Sequence, residues 1–357
     1  MTATLQLVPG VLRRRIGFEL ELLAPRGSSR RTLAEALAYR CSGQVRAVWH
    51  HDSQPAVVPR LGGRFLHLTQ GFEVTGPSGN VVCTLVDDVT IEAELDATAA
   101  APPGWHRILT DDSRLLQLLS RYSDPAGALD TALDGVASLW DEHVERVGNV
   151  WRLDAVGVTI ALAMPSGGER ERPCEIVTPP LAENHAVALE ELLATARGLG
   201  FTVPQEAAVH LHFDGAPFRD PHTLANVVRL FAHWREPLRE LLGTNERCRR
   251  LAALPADLVA AADSNPTWDE LRQAASRSGL TKFFDVNLTQ LLRDDPLRDT
   301  LEVRILPGAI TAGEVIERAA LVETLLDRCA EPTPFPAPPA SLEEATTELR
   351  RLAVSMR

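Results

Sequence analysis

Lysine is almost absent from this chain. Lys282 is the only one, and the other 35 basic residues are arginine. A composition that takes arginine wherever positive charge suffices draws attention to a lysine that persists. Its ammonium is a compact, strongly hydrated point charge that a planar guanidinium does not reproduce. Cysteine is scarce as well. Cys41, Cys83, Cys174, Cys248 and Cys329 are odd in number and far apart, which excludes a paired disulfide framework and zinc-ligand spacing. They read as reduced, mostly buried thiols. No apolar run approaches the ~20 residues that span a bilayer. The three arginines Arg13 to Arg15 lead into glutamates rather than an apolar stretch, so no leader is read. The expectation is a cytoplasmic protein with no membrane partner. Three catalytic signatures are also missing: Gly-x-x-x-x-Gly-Lys-[Ser/Thr], His-Glu-x-x-His and Gly-x-Ser-x-Gly. The formal charge of −12 argues against nucleic acid as a partner. It leaves room for a nucleotide in a local cationic pocket.

What is present is a globular balance, 45% hydrophobic and 24% charged over 357 residues. The first third reads as strands: Ile16–Leu23, Val45–Trp49, Phe65–Val74 and, after a turn at GPSGN, VVCTLVDDVTIEAEL. A helix is expected from Ser113 to about Glu145, then strand over VWRLDAVGVTIALAM and CEIV. Val187–Arg197 has helical spacing and AVHLHFD that of a strand. Asp220-Pro221 starts a long helix through His222–Leu242 that Pro237 kinks or splits. Capping boxes begin at Thr267 and Thr311. FFDVNL and TLEVRIL read as strands, and EPTPFPAPP as an extended linker before a helix capped by Ser341. Neighbouring strands with helices inserted between them favour α+β with a mainly antiparallel sheet.

Four of these strands share a grammar, because successive side chains of a strand point to opposite faces. In IGFELELL, Glu19 and Glu21 oppose Ile16, Phe18, Leu20 and Leu22. In VHLHFD, His210 and His212 oppose Val209, Leu211 and Phe213. In TLEVRIL, Glu302 and Arg304 oppose Leu301, Val303 and Ile305, and in CEIV, Glu175 opposes Ile176. A solvent face alone would carry a mixture of Thr, Ser, Gln and basic residues. Carboxylates about 6 Å apart repel by about 3 kcal/mol at an effective dielectric near 20, so such a set calls for cations or shifted pKa values. Hard oxygen donors suit Mg²⁺ or Mn²⁺, imidazole is acceptable especially to Mn²⁺, and Arg304 could meet a phosphate.

On these stretches the chain resembles the amidoligases, relatives of glutamine synthetase and glutamate–cysteine ligase. GFELEL, CEIVTPPL, VHLHFD, and KFFDVNL followed by TLEVRIL occur in family order between about Arg13 and Cys329. The resemblance implies a glutamine synthetase-like open antiparallel funnel with helices on its outer face. It would form residues 13–330, with residues 331–357 as linker and terminal helix. The implied activity is ATP-dependent amide or peptide bond formation through an acyl phosphate, with two divalent metals, Mg²⁺ or Mn²⁺. The partners implied are small-molecule or peptide carboxylates and amines. Glu19, Glu21, Glu175, His210 or His212, and Glu302 would be metal ligands, a histidine alternatively meeting phosphate. Arg304 and Lys282 would be catalytic, and Lys282 and Asn287 would meet nucleotide or substrate. Asp88 would face the substrate. Independently of the resemblance, the run Arg247–Arg250 could touch phosphate or an acidic substrate. Two departures concern the substrate end: Ala208-Val209 stands where the family has a glycine before His-x-His, and Asp88-Val89-Thr90 where it has Asp-Gly-Ser.

Two other readings compete. His210-x-His212 also suits a metal-dependent hydrolase, but that site needs more histidines on later strands, and His222 and His233 fall on a helix. A binding module that has lost its chemistry would be expected to lose Glu19, Glu21, Glu302 and Arg304 first.

Overall fold

The computed structural model describes residues 11–51, 56–57, 64–294, 296 and 298–354. The first ten residues, part of the stretch read as carrying no leader, lie outside it. The alternation in IGFELELL gives β1 (Ile16–Leu23), with Ile16, Phe18, Leu20 and Leu22 fully buried. Ser29 accepts from the Thr32 amide and opens α1 (Arg30–Arg40). β2 (Gln44–His50), β3 (Ala56–Val57) and β4 (Arg64–Thr75) follow. GPSGN turns the chain into β5 (Val81–Val86), with Gly79 at a φ of +80° that favours glycine.

Four expectations need correction. β5 stops at Val86, short of the run to Leu95, because Asp88 accepts from both the amide (2.8 Å) and the hydroxyl (2.6 Å) of Thr90. That local turn displaces the ladder. After β6 (His106–Thr110), the helix begun at Ser113 ends at Tyr122 (α2), because Asp124-Pro125 cannot continue it. The rest of the expected helix is α3 (Asp134–Ala137) and then β7 (Val144–Val147). VWRLDAVGVTIALAM is a hairpin, β8 (Val150–Ala155) and β9 (Val158–Pro165). Val156 and Gly157 turn it with φ of +53° and +75°. This is the primed-turn geometry, written without its usual asparagine.

β10 (Pro173–Val177), α4 (His185–Gly198) and β11 (Ala208–Asp214) come next. The expected long helix splits at Trp234 into α5 (Pro221–His233) and α6 (Arg235–Leu242). Then come α7 (Ala256–Asp263) and α8 (Trp268–Arg277), the latter with both bonds of its capping box made. FFDVNL, the fourth correction, yields only a two-residue β12 (Val286–Asn287). The segment before it instead bonds through backbone to Ala252. β13 (Thr300–Pro307), α9 (Ala312–Cys329) and α10 (Leu342–Val354) complete the order.

The architecture is α+β, with antiparallel ladders between the named strands. The chain divides into two compact units. The first comprises residues 1–20, 180–194 and 205–357, and the second residues 21–179 and 195–204. In the first, β12, β13, β11 and β1 pair in that order. Their apolar face, with Phe18, Val209, Leu211, Phe213, Leu301, Val303 and Ile305, is at most 1% exposed. Each such side chain removed from water contributes about 1.5–3 kcal/mol. In the second unit, β10, β5, β4, β6, β9, β8 and β7 pair in order, with β2 and β3 also on β4. Leu68, Ile108, Leu153, Ala161 and Ala163 pack there against Leu115, Leu116 and Leu119 of α2 and Val136 of α3.

The proline-rich segment is pinned to the first unit. Phe335 is 4% exposed and lies edge-on to Trp234, with ring centroids 6.0 Å apart. The Trp234 indole donates to the Pro336 carbonyl at 2.7 Å, and the Phe335 amide to Asn226 Oδ1 at 2.8 Å. α10 then packs on α6 and α9. Phe335→Ala should lower stability by about 3–5 kcal/mol, the cost of emptying a buried aromatic site, read as a shifted urea midpoint. An unchanged midpoint would show that the tail does not dock.

Candidate functional site

The site is assembled on the polar face of the first unit's sheet, by register. Glu19 on β1 stands opposite His210 on β11, and His212 stands opposite Glu302 on β13. Asn287 on β12 stands opposite Glu302 from the other side. The parity that buries Phe18, Leu211 and Val303 thus puts Glu19, His210, His212, Glu302 and Arg304 on one face. His210 Nδ1 lies 3.0 Å from Glu19 Oε2 and 3.8 Å from Glu302 Oε1. His212 Nε2 lies 3.0 Å from Glu19 Oε1. Their angle is too poor for a hydrogen bond, so the contact is one of charge. Arg304 Nη1 donates to Glu302 Oε1. Asn287 Nδ2 donates to Glu302 Oε2 at 2.7 Å, while its own oxygen accepts from the amide and hydroxyl of Thr289. Asn287 thereby fixes the rotamer of Glu302.

Burial of these groups makes the charges interdependent. Desolvation works to raise the Glu19 carboxyl. The charge of His212 and the hydrogen bond from His210 outweigh it and hold Glu19 well below the ordinary range. Glu302 is likewise held low against its burial, chiefly by Arg304 and then His212. His210 is pushed down by burial and by Arg304. His212 is drawn up, the attraction of Glu19 overcoming its own desolvation. The two carboxylates are thus offset chiefly by His212 and Arg304, and protonation of His210 is disfavoured.

The donor set fits a divalent cation. One ligand atom each from Glu19, His212 and Glu302 lie within 4.8 Å of one another, so small side-chain rotations bring them round a common ion. Two carboxylates and an imidazole suit Mn²⁺ or Mg²⁺. A cation entering there would take the place of the proton on His212.

Of the remaining expected residues, Lys282 lies over the Phe283 ring at 5.6 Å, a ring it shares with Arg250 at 5.3 Å. Arg247 is exposed in the loop before α7, its amide on Asn245 Oδ1. Three belong to the second unit. Glu21 is buried (5% exposed), Glu175 is half-buried opposite Val86 of β5, and Asp88 has both carboxylate oxygens on Thr90.

Several residues that matter were not singled out from the sequence. Arg298 approaches Glu19 Oε1 at 3.9 Å. Asp285, 1% exposed, is gripped by Arg235 at 2.6 Å and Arg239 at 3.0 Å. Its carbonyl accepts from the Arg304 amide at 3.1 Å. It lies two residues before Asn287, the one signal that could have drawn attention to it. In the second unit, Arg170 binds the Asp87 carboxylate and the carbonyls of Asp88 (2.6 Å) and Ile91 (2.7 Å). Asp87 is held low against its burial by Arg170 and Arg30.

With this geometry in place, the comparison with known families is specific. A family model described as "putative amidoligase enzyme" matches residues 12–326, and the chain belongs to that family. No curated protein and no solved structure matches it. No helix among the described residues is long and apolar enough to cross a membrane.

The charge balance has a testable pH signature in metal-free protein. His212 titrates above its ordinary 6.5, so its contribution to stability is complete below that value and is lost as pH rises through the folded value. Glu19 has the opposite sign. Its contribution is complete above the ordinary 4.5 and is lost as pH falls through the depressed value. The pair therefore stabilises most at about pH 5–6. Ring-proton titration by NMR should place His212 above and His210 below the ordinary value. Glu19→Gln should bring His212 down; an unmoved His212 would refute the pairing.

Proposed function

We propose that this chain is an ATP-dependent carboxylate–amine ligase that works through an acyl phosphate. The observation that carries the reading is the convergence of Glu19, His210, His212, Glu302 and Arg304 on one buried face, in a chain of the amidoligase family. Phosphoryl transfer needs little covalent chemistry from the protein. It needs positioning and neutralisation of charge on the transferred group.

Glu19, His212 and Glu302 would hold a divalent cation, Mg²⁺ or Mn²⁺, with His210 completing or orienting the set. Glu21 and Glu175 are the proposed further ligands. Bound cations supply neutralisation of phosphate oxygens and polarisation of the phosphorus. Arg304, held by Glu302, would pass its guanidinium to a phosphoryl oxygen, since a bidentate donor serves either anion. Lys282 would offer its ammonium to nucleotide phosphate, and Asn287, bonded to Glu302, would meet nucleotide or substrate. Asp88 and Arg247 are the proposed substrate contacts.

In the reaction proposed, a substrate carboxylate oxygen attacks the γ-phosphorus of ATP and ADP leaves. An amine then attacks the acyl carbon, phosphate leaves, and the amine's proton passes to solvent or base. The products are an amide, ADP and phosphate. Water must be kept from the acyl phosphate meanwhile. The histidines a hydrolase would require are engaged elsewhere: His222 Nε2 meets the Glu331 carbonyl at 3.0 Å, and His233 meets Asp263 at 2.9 Å.

The test is ADP release across a matrix of carboxylates and amines with Mg²⁺. Glu302→Gln and Arg304→Ala should each lower kcat by about 10²–10³, and chelation should abolish turnover. Glu19→Gln should weaken Mn²⁺ binding by about tenfold or more, followed by electron paramagnetic resonance. Full ADP-forming activity in either kinetic variant, or turnover without nucleotide, would defeat the proposal.

A further inference from the structure

The second unit's sheet has two faces of different character. One is the core under α2 and α3. The alternate residues of the same strands face the other way, in register: Thr69 opposite Arg107, Arg107 opposite Met164, Leu109 opposite Leu162, and Leu162 opposite Arg152.

Two independent features meet on that second face. The first is polar. Thr69 is 5% exposed and its hydroxyl has no hydrogen-bond partner, and Nε of Arg107, directly opposite, is sealed from solvent and likewise unpartnered. Among the described residues Arg107 makes no ion pair, and Asp87, whose charge it feels, is already bound by Arg170. Arg107 is half-buried and only its Nε is sealed, so its terminal guanidinium nitrogens remain open to an anionic ligand. The second feature is apolar. A cavity of about 570 Å³ has an apolar wall of Phe65, Leu109, Leu162 and Met164, with Arg152 and Asp111 also in its lining. Its size suits a small organic ligand. Met164 belongs to both features, as cavity wall and as cross-strand neighbour of Arg107. Arg152 is committed to Glu145 at 2.6 Å and Asp154 at 3.1 Å, so Arg107 is the cation left for a ligand.

The face also carries Glu175. That residue pairs with Val86, whose side chain lies 3.2 Å from where a Cβ on Gly71 would stand, and Gly71 and Thr69 alternate along β4.

We propose that this face binds the acid substrate, and that the substrate is amphiphilic. An anionic group sits on Arg107 and Thr69, and a hydrocarbon or aromatic body fills the cavity. Calling the ligand a substrate rests on the ligase reading; the binding site does not.

The test is calorimetry on the full chain without nucleotide, using butanoate, hexanoate, octanoate and octylamine. Affinity should climb about fourfold per added methylene, and octanoate should bind at least about tenfold more tightly than octylamine. Arg107→Gln should cost octanoate about tenfold or more, and Leu162→Trp should shorten the longest acid that binds. Should either variant fail to fold, the wild-type chain-length series decides alone. An affinity flat with chain length, octylamine equal to octanoate, or a folded Arg107→Gln that binds normally would overturn the site. Octanoate binding without ADP release for any acid and amine would uphold the site and defeat the ligase reading. ADP release confined to short polar acids, with no octanoate binding, would do the reverse.

Discussion

A carboxylate taken out of water survives as an anion only if a cation stands beside it, and the first unit is arranged round that requirement. Glu19 on β1 and Glu302 on β13 are both largely buried on the same face of the sheet. β11 lies between them and supplies His210 and His212, while Arg304 closes the far side. Remove the alternation of these strands and the carboxylates would face either solvent or the apolar core. The same alternation that buries Phe18, Leu211 and Val303 therefore produces a charged, cation-ready face. Stability and chemistry are here two sides of one sheet.

Hydrogen bonds and ion pairs behind that face hold it in place. Asn287 fixes Glu302, and Asp285, clamped by Arg235 and Arg239, anchors the short β12 to helix α6. Its carbonyl in turn holds the Arg304 amide. The arginine that touches the carboxylate is thus tied to a buried aspartate behind the strand. In the second unit, Arg30 does similar work. It is 1% exposed, stacks 4.5 Å over Trp105 and donates to the carbonyls of Gln70 and Arg170. A chain that uses arginine almost exclusively exploits its five donors to stitch loops together. The single lysine lies over the Phe283 ring.

Much of this was legible beforehand. Period-two patterning located β1, β11 and β13, and put the right side chains on the right face, because burial of the opposite face leaves no other register. Caps at Thr267 and Thr311 marked helix starts correctly, since their bonds are local. The failures at the turn and the helix end are also local in cause, whereas that at FFDVNL is not. The Val156-Gly157 turn lacks the usual asparagine. Asp124-Pro125 broke a helix that periodicity alone extended. FFDVNL is mostly loop, because its backbone bonds to Ala252 rather than to a neighbouring strand.

What the sequence by itself determined is the inventory of charged groups and the face each would take, since strand parity is a property of neighbouring residues. It also carried family membership, through short motifs in order. Only the tertiary structure decided which strands stand side by side. Pairing β11 between β1 and β13 brings together groups 283 residues apart in the chain, Glu19 and Glu302. The pairing of β4, β6 and β9 likewise set Arg107 against Thr69 beside a largely apolar cavity. Both are long-range contacts, chosen by the burial of whole faces rather than by any local signal.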